Sequence, residues 1–128
     1  MPSPGRSSKP EMDTGWATAA EIAAAVTSGR VSATEVVQDA LARITKRDPV
    51  LNSFTDVLAD RALARAAAVD GSQEKGPLAG VPFAVKNLFD VKGLPTRAGS
   101  KINRERVPAT RDQPLIERLD PARGGFSP

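Results

Sequence analysis

One lysine follows directly on a run of apolar residues, and this placement suits it for chemistry. Residues 81–85 are all apolar, and Lys86 comes next. A short apolar run with β-branched and aromatic members predicts a buried strand over residues 83–86. Burial disfavours the charged form of an ammonium group, so a lysine at the end of such a strand can act as a base. The alternative is a lysine that extends from the strand end into solvent, and the strand alone favours that alternative.

The amino-acid composition limits which catalytic and metal-binding groups the chain can provide. The 128 residues include no histidine and no cysteine, which excludes disulfides, thiolate metal sites, cysteine nucleophiles and imidazole bases within this sequence. We therefore expect no metal and no cofactor. The net charge is +3, but acidic and basic residues alternate along the chain. The densest basic group consists of Arg104, Arg106 and Arg111, and Glu105 and Pro108 interrupt it. This pattern favours a solvated loop over a nucleic-acid binding surface.

Helical patterns surround this lysine segment. Two Ser/Thr-x-x-Glu capping boxes each precede an apolar stripe with helical spacing. The predicted helices and their ends are 18–28 with Gly29 as the stop, a second from Ser32 to Asp48-Pro49, a third over 58–69 closed by Gly71, and a last one over 112–119. The region 87–107 has no helical period and predicts a long connection. Aromatic residues make up only 4% of the chain, so alanine, valine and leucine must supply most of the core.

Composition also suggests the boundaries of the ordered part. Residues 1–13 are rich in proline, serine and glycine, which predicts a disordered tail, and residues 14–119 carry the periodic patterns. In residues 120–128, proline and glycine replace any regular pattern, which predicts a C-terminal tail. The first ten residues have no apolar run typical of a signal peptide, and no stretch is long and apolar enough to cross a bilayer, so we expect a cytoplasmic protein.

A longer string around the lysine resembles a known family. Residues 76–91 read GPLAGVPFAVKNLFDV, and GLPT at 93–96 and AGS at 98–100 follow. This string is similar to the lysine-containing region of the amidase-signature family, whose usual form is G-P-L-x-G-[IV]-P-[VF]-x-[VL]-K-[DN]-x-[FI]-D-V-x-G-x-x-T-x-x-G-S. The resemblance extends over about residues 16–119 and reverses the preference for a solvent-facing lysine.

The resemblance implies a fold and an activity. The fold class is α/β: the chain would be the N-terminal portion of the amidase-signature fold, a mixed sheet flanked by helices, incomplete here. Family members cleave or transfer carboxamide groups with a Ser-cisSer-Lys triad, in which Lys86 would be the lysine. No stretch here matches the family's two serines, so we expect the chain alone to be inactive. By position, Gly80 and Pro82 would bend the backbone into the strand, and Asn87 and Asp90 would hold the next loop through side-chain to backbone hydrogen bonds.

Several interpretations of the function remain open. The strings at 100–103 and 114–119 look closest to the biuret and carboxybiuret hydrolases, and the A-type subunits of glutamyl-tRNA amidotransferases share most of the same pattern. The implied substrate is a small amide or urea-like molecule, whose contact residues cannot be assigned here. An accessory polypeptide that docks on an amidase subunit, or a homo-oligomer, is the alternative, and a small nucleic-acid binder has the lowest weight. The loss of pattern after Leu119 suggests a frameshift, deletion or early stop, which the flanking DNA would test.

Overall fold

The computed structural model describes residues 12–87, 89–103 and 105–119, and the regular structure in these residues is helical. The helices are α1 (Ala19–Thr27), α2 (Ala33–Leu51), α3 (Ala59–Gly71) and α4 (Pro114–Leu119), with one 3₁₀ turn at Lys101–Asn103. No residue among those described is in a β-strand. The predicted tail 120–128 lies outside the described residues. Of the predicted tail 1–13, only Met12 and Asp13 are described, and Met12 packs against the helical core.

Both predicted N-caps are confirmed. The Thr18 side chain accepts a hydrogen bond from the Glu21 amide at 3.1 Å at the start of α1. The Ser32 side chain does the same for the Glu35 amide at 3.0 Å at the start of α2. Each cap satisfies an amide that has no partner inside its helix. The predicted stop of α1 is also confirmed, since Gly29 follows the helix with a φ of +76°.

The predicted end of α2 at Asp48-Pro49 is wrong, because the helix continues through Pro49 to Leu51. Asn52 closes it with a left-handed φ of 51°, and its amide donates to the Asp48 carbonyl at 2.6 Å. The Asp48 carboxylate then accepts the Ser53 amide at 2.6 Å. Proline inside a helix lacks an amide donor, and its ring crowds the carbonyl four residues earlier. The bonds around Asp48 satisfy backbone groups at the end of α2 beyond this proline.

The core is small and lies between the first three helices. Its largest fully buried side chains are Val26 of α1, Val36 of α2 and Val69 of α3. The other members of the same cluster are Ile22, Ala33, Val37, Ala66 and Ala79. Alanine and valine therefore dominate the core, as predicted from the composition. Leucine, which the composition also predicts there, is not in the buried cluster, since Leu41 and Leu63 are only partly buried against it.

A charged side chain joins α3 to the start of α2. The Asp70 carboxylate accepts hydrogen bonds from the Ala33 amide at 2.7 Å, the Thr34 amide at 3.1 Å and the Thr34 hydroxyl at 2.6 Å. Burial alone would raise the pKa of Asp70, but these bonds and the charge of Lys75 together hold it below the usual 3.8. Asp70 thus caps a helix 36 residues away in sequence from its own position.

The predicted buried strand over residues 83–86 does not form in the described part of the chain. Residues 81–86 have no regular secondary structure, and Phe83 is 47% exposed. A strand needs a neighbour to pair its amides and carbonyls, and the described residues provide none for this stretch. The mixed sheet of the fold prediction is accordingly not observed among residues 12–119 where they are described.

Candidate active site

The segment that carries Lys86 starts at a glycine with little space around it. Gly80 has a φ of +75°, and a Cβ at this position would lie 2.6 Å from a methyl group of Val26 and 3.2 Å from the Cβ of Ala33. Glycine is therefore required twice, for the left-handed backbone and for the close approach to α1 and α2. This confirms the predicted bend at Gly80 and fixes the direction in which residues 81–86 leave the helical core.

Lys86 is the last residue of this segment and borders a cleft. Its side chain is exposed, and it is among the residues that line the cleft. The ammonium group is thus open to water in this chain. The burial that the strand prediction implies for Lys86 is therefore not observed among the described residues.

The residue after Lys86 is held firmly by a loop that comes later in the chain. The Asn87 side-chain oxygen accepts the Arg97 amide at 2.8 Å, and the Asn87 carbonyl accepts the Ala98 amide at 2.8 Å. Ala98 has a φ of 47°, which is unusual for a residue with a side chain. The predicted side-chain to backbone role of Asn87 is confirmed. These bonds fix the backbone next to Lys86.

The prediction for Asp90 is wrong about its partner. The Asp90 carboxylate accepts a hydrogen bond from the Thr96 hydroxyl at 2.5 Å, so its contact is with a side chain and not with the backbone. The backbone of Asp90 contacts Gln113 instead: its amide donates to the Gln113 side chain at 3.1 Å, and its carbonyl accepts the Gln113 amide at 2.9 Å. Asp90 joins the loop after Lys86 to the start of α4.

An ion pair that the sequence does not signal connects this loop to α3. The Arg61 guanidinium donates to both carboxylate oxygens of Asp112, and the Lys92 amide donates to the same carboxylate at 2.8 Å. The bonds from Arg61, with that from Lys92, hold the pKa of the Asp112 carboxyl below 3.8 against the effect of burial. The last helix, α4, begins at Pro114 and not at the predicted residue 112, since a proline disfavours the helical conformation of the residue before it, here Gln113.

A second charged pair lies beside the Asn87 loop. The Arg97 guanidinium and the Asp56 carboxylate approach to 3.9 Å, and each side chain is 29% exposed. Within the described residues, Asp56 Oδ2 and Arg97 Nε are buried without a hydrogen-bond partner. No sequence motif signals this pair, because Asp56 lies in the linker between α2 and α3 and Arg97 lies in the long connection.

The cleft itself is apolar and open, with a volume of about 710 Å³. We call it the apolar cleft. Its walls include Leu41 and Ile44 of α2, Leu58 and Ala62 at the start of α3, and Phe83 and Val85 before Lys86. Phe83 is 47% exposed and Leu58 is 38% exposed, so large apolar groups face solvent here. Exposed apolar surface concentrated in one place marks a site of interaction.

Neither a metal centre nor a membrane span is found in the part of the chain that the structure describes. No group of three or more acidic side chains there is arranged to hold a metal ion. No helix there is long and apolar enough to cross a membrane.

Comparison with known proteins identifies the class of protein. A family model described as Amidase matches residues 35–124, and the chain belongs to the amidase family. The chain is 48% identical over 106 residues to AtzE, a 1-carboxybiuret hydrolase subunit of Pseudomonas sp. strain ADP, covering 80% of this chain and 23% of that protein. It is 45% identical over 109 residues to the A-type subunit of the glutamyl-tRNA(Gln) amidotransferase of Streptomyces avermitilis, covering 82% of this chain and 22% of that protein.

Solved structures agree with this assignment. A structure of a vestigial protein complex connected with the origins of an s-triazine catabolic enzyme matches with a TM-score of 0.78 and 45% identity, covering 86% of this chain and 25% of that one. A bacterial aryl acylamidase of the amidase-signature family matches with a TM-score of 0.66 and 36% identity, covering 73% of this chain and 20% of that one. The chain therefore spans a quarter or less of the length of these relatives.

Proposed function

We propose that this chain provides the lysine base of an amidase, with Lys86 as the lysine of a Ser-cisSer-Lys triad. Both serines would come from polypeptide outside these 128 residues. The observation that carries the proposal is that Lys86 lines the apolar cleft, next to a backbone held by the Asn87 hydrogen bonds. Residues 14–119 would form the amidase part of the chain, and α1–α3 would flank a mixed sheet that includes residues 83–86.

The proposed chemistry assigns one proton transfer to Lys86. Free lysine titrates near pH 10.4, so water must be removed from an ammonium group before it becomes a neutral amine near pH 7. The neutral amine then accepts a proton from the bridging serine, which takes a proton from the nucleophilic serine as that serine attacks the amide carbon. The exposed position of Lys86 here supports the expectation that the chain alone does not catalyse this reaction.

The proposed substrate is a small amide or urea-like molecule. The 48% identity to a 1-carboxybiuret hydrolase subunit favours a biuret-type compound. A second candidate is the corresponding role in a glutamyl-tRNA(Gln) amidotransferase, which the 45% identity to the A-type subunit of that enzyme favours. In either case the partner would be a further amidase polypeptide, and a cytoplasmic location remains our expectation. An accessory polypeptide docked on a complete amidase would need no chemistry from Lys86.

A chimera tests the proposal. Residues 14–119 would replace the matching segment of the Pseudomonas 1-carboxybiuret hydrolase subunit, and hydrolysis of 1-carboxybiuret would be measured with and without Lys86→Ala. We expect the substitution to lower kcat/KM by about 10²- to 10⁴-fold, as for loss of a general base. Lys92→Ala is the control, because Lys92 is also exposed but does not line the cleft.

Three results of this experiment would change the proposal. An active chimera that is indifferent to Lys86→Ala would favour the accessory role. Amide transfer to glutamyl-tRNA(Gln) by a matching chimera with the amidotransferase, without activity on 1-carboxybiuret, would favour the second candidate. Turnover by the 128-residue chain alone that disappears with Lys86→Ala would contradict the requirement for serines from other polypeptide.

A further inference from the structure

We infer that Asp56 is a positioning residue for Lys86. It restrains the Arg97 side chain, and the backbone of Arg97 holds the residue that follows the lysine. This inference rests on the proposed function for the role of Lys86. The connection itself consists of contacts within the described residues, and it requires neither Asp56 nor Arg97 to touch the substrate.

A continuous series of contacts leads from the linker between α2 and α3 to Lys86. The Asp56 carboxylate lies 3.9 Å from a terminal nitrogen of the Arg97 guanidinium. The backbone amide of the same arginine donates to the Asn87 side-chain oxygen at 2.8 Å, and the next amide, that of Ala98, donates to the Asn87 carbonyl at 2.8 Å. Because a planar peptide bond joins Asn87 to Lys86, the position of Arg97 limits where the backbone of the lysine can lie.

Arg97 begins a turn whose backbone is strained. Ala98 and Gly99 have φ values of 47° and 72°, and a residue with a Cβ adopts this left-handed conformation only at a cost. The Arg97 carbonyl accepts the Ser100 amide at 2.9 Å and the Asn103 side-chain amide at 3.2 Å. A strained turn persists only where its surroundings impose it. The contacts of Arg97 impose it here, so the turn depends on where this arginine is held.

The charged pair has hydrogen-bonding groups that its present geometry leaves unused. Asp56 Oδ2 and Arg97 Nε are buried and have no partner among the described residues, although the first accepts and the second donates. A guanidinium can bind both oxygens of one carboxylate side by side, and a movement of about 1 Å would bring this pair within hydrogen-bond distance. Because buried groups without a partner are unfavourable, the pair favours closure. Asp56 thus restrains Arg97 from the side of the linker.

A direct electrostatic effect of Asp56 on Lys86 is the competing explanation. Both residues line the apolar cleft, so the carboxylate could act on the ammonium group without an intermediary. A direct effect would not need the Arg97 guanidinium, whereas positioning acts only through it. This difference determines the design of the experiment.

Amide exchange in the 128-residue chain tests the connection without any reaction. Asp56→Ala should speed exchange at the Arg97 and Ala98 amides at least about tenfold, because the turn that contains them loses its restraint. Exchange at Val36, in the core of the helices, should not change. Asp60→Ala is the control, because Asp60 is exposed on α3 and does not line the cleft. Equal acceleration with both variants would overturn the inference.

Turnover by the chimera with the Pseudomonas 1-carboxybiuret hydrolase subunit tests the positioning. Asp56→Ala should lower kcat by about 10- to 100-fold and leave KM within about twofold, because a misplaced base slows the reaction without weakening substrate binding. Asp56→Glu should keep at least about half of kcat, since the longer acid still reaches the guanidinium. A raised KM with an unchanged kcat would assign Asp56 to substrate binding and would overturn the inference.

Arg97→Ala separates positioning from the direct effect. This variant removes the guanidinium but keeps the backbone amide that binds Asn87. If Asp56 acts through Arg97, adding Asp56→Ala to the Arg97→Ala chimera should lower kcat by less than about twofold further. The full loss in both backgrounds would show a direct effect on Lys86 and would overturn the inference.

Two further outcomes distinguish this inference from the proposed function. A chimera that needs Lys86 but is indifferent to Asp56→Ala would overturn the inference and leave the proposed function in place. An active chimera that is indifferent to Lys86→Ala would contradict the proposed function, and the positioning role would be overturned with it.

Discussion

The helical layer, formed by α1, α2 and α3, and the lysine segment, residues 81–86, differ in regularity and burial, although they adjoin each other. In the helical layer, the N-caps of α1 and α2 are made, and Val26, Val36 and Val69 are fully buried. In the segment 81–86, by contrast, the backbone is irregular and Phe83 and Lys86 face solvent. Residues of this chain bury the core of the layer, whereas the described residues neither pair the backbone of residues 83–85 nor bury Phe83 and Lys86. The fold of the helical layer can therefore be derived from this chain, whereas the environment of Lys86 cannot.

The largest effect is expected where the two regions meet, at Gly80. Gly80→Ala would force a left-handed residue with a side chain and place its Cβ 2.6 Å from Val26. We expect a loss of about 2–5 kcal/mol, from backbone strain together with overpacking. Hydrogen exchange at the buried amides of Val26 and Val36 would measure this loss as a lower opening free energy.

Gly93 offers a matched control for this experiment. Its φ is +89°, but a Cβ there would meet nothing within 4 Å. Gly93→Ala should therefore cost about 1 kcal/mol from the backbone alone. If the two variants were equally destabilised, the close contact between Gly80 and α1 would not limit the packing of the layer.

Sequence analysis predicts the layer better than the segment because the layer depends on local signals. Capping boxes and apolar spacing correctly predict the starts of α1 and α2. The predicted stop of α2 is misplaced, because Asp48 and Asn52 together close a turn that contains Pro49. No short sequence motif predicts the hydrogen bonds from Asn52 and Ser53 to Asp48 that close this turn.

Around Lys86, the sequence predicts single features such as the Asn87 hydrogen bond, but it does not predict the exposure and irregular backbone of residues 83–86. The position of Asn87 is enough to predict its contact with backbone, and Gly80 is enough to predict a bend. The strand over residues 83–86 does not form, because β-propensity has an effect only when a pairing partner is present. The partnership of Arg61 with Asp112 spans 51 residues, and neither residue belongs to a recognisable pattern.

The second-largest loss of stability is expected where the loop after Lys86 is bonded to the helical layer, at Asp112. Asp112→Asn removes the charge that Arg61 pairs with and weakens the acceptor for the Lys92 amide. We expect a loss of about 1–3 kcal/mol, the range for hydrogen bonds to charged groups. Amide exchange should accelerate at Lys92 and Gly93 but not at Val36. Equal acceleration at all three would show that the two regions unfold as one unit.

A smaller effect is expected inside the layer, at the cap that α3 provides for α2. Asp70→Asn weakens the acceptor for the Ala33 and Thr34 amides, and loss of a helix cap costs about 1 kcal/mol. Thermal melting followed by circular dichroism at 222 nm would report it. Glu74→Gln is the control, since it removes the same charge from an exposed residue near the end of α3. A lower midpoint with both variants would indicate a general charge effect.

The same carboxylates predict how stability depends on pH. The folded-state pKa values of Asp70 and Asp112 lie below 3.8, so the folded state binds fewer protons than the unfolded state. Their contribution is complete above about pH 5 and is lost as the pH falls below 3.8 through the folded values. Urea titrations between pH 2 and 7 should therefore show a steep loss below pH 4. The double Asn variant should show a shallower loss, and an unchanged slope would contradict this assignment.

The smallest effect on stability is expected for a substitution of Lys86. This residue belongs to the lysine segment, which contributes little to the core of the helical layer. Its side chain is exposed, so Lys86→Ala should change the free energy of unfolding of the isolated chain by less than about 0.5 kcal/mol. In the chimera the same substitution should remove most of the activity. Marked destabilisation of the isolated chain by Lys86→Ala would instead show that the ammonium already has a structural role in the segment.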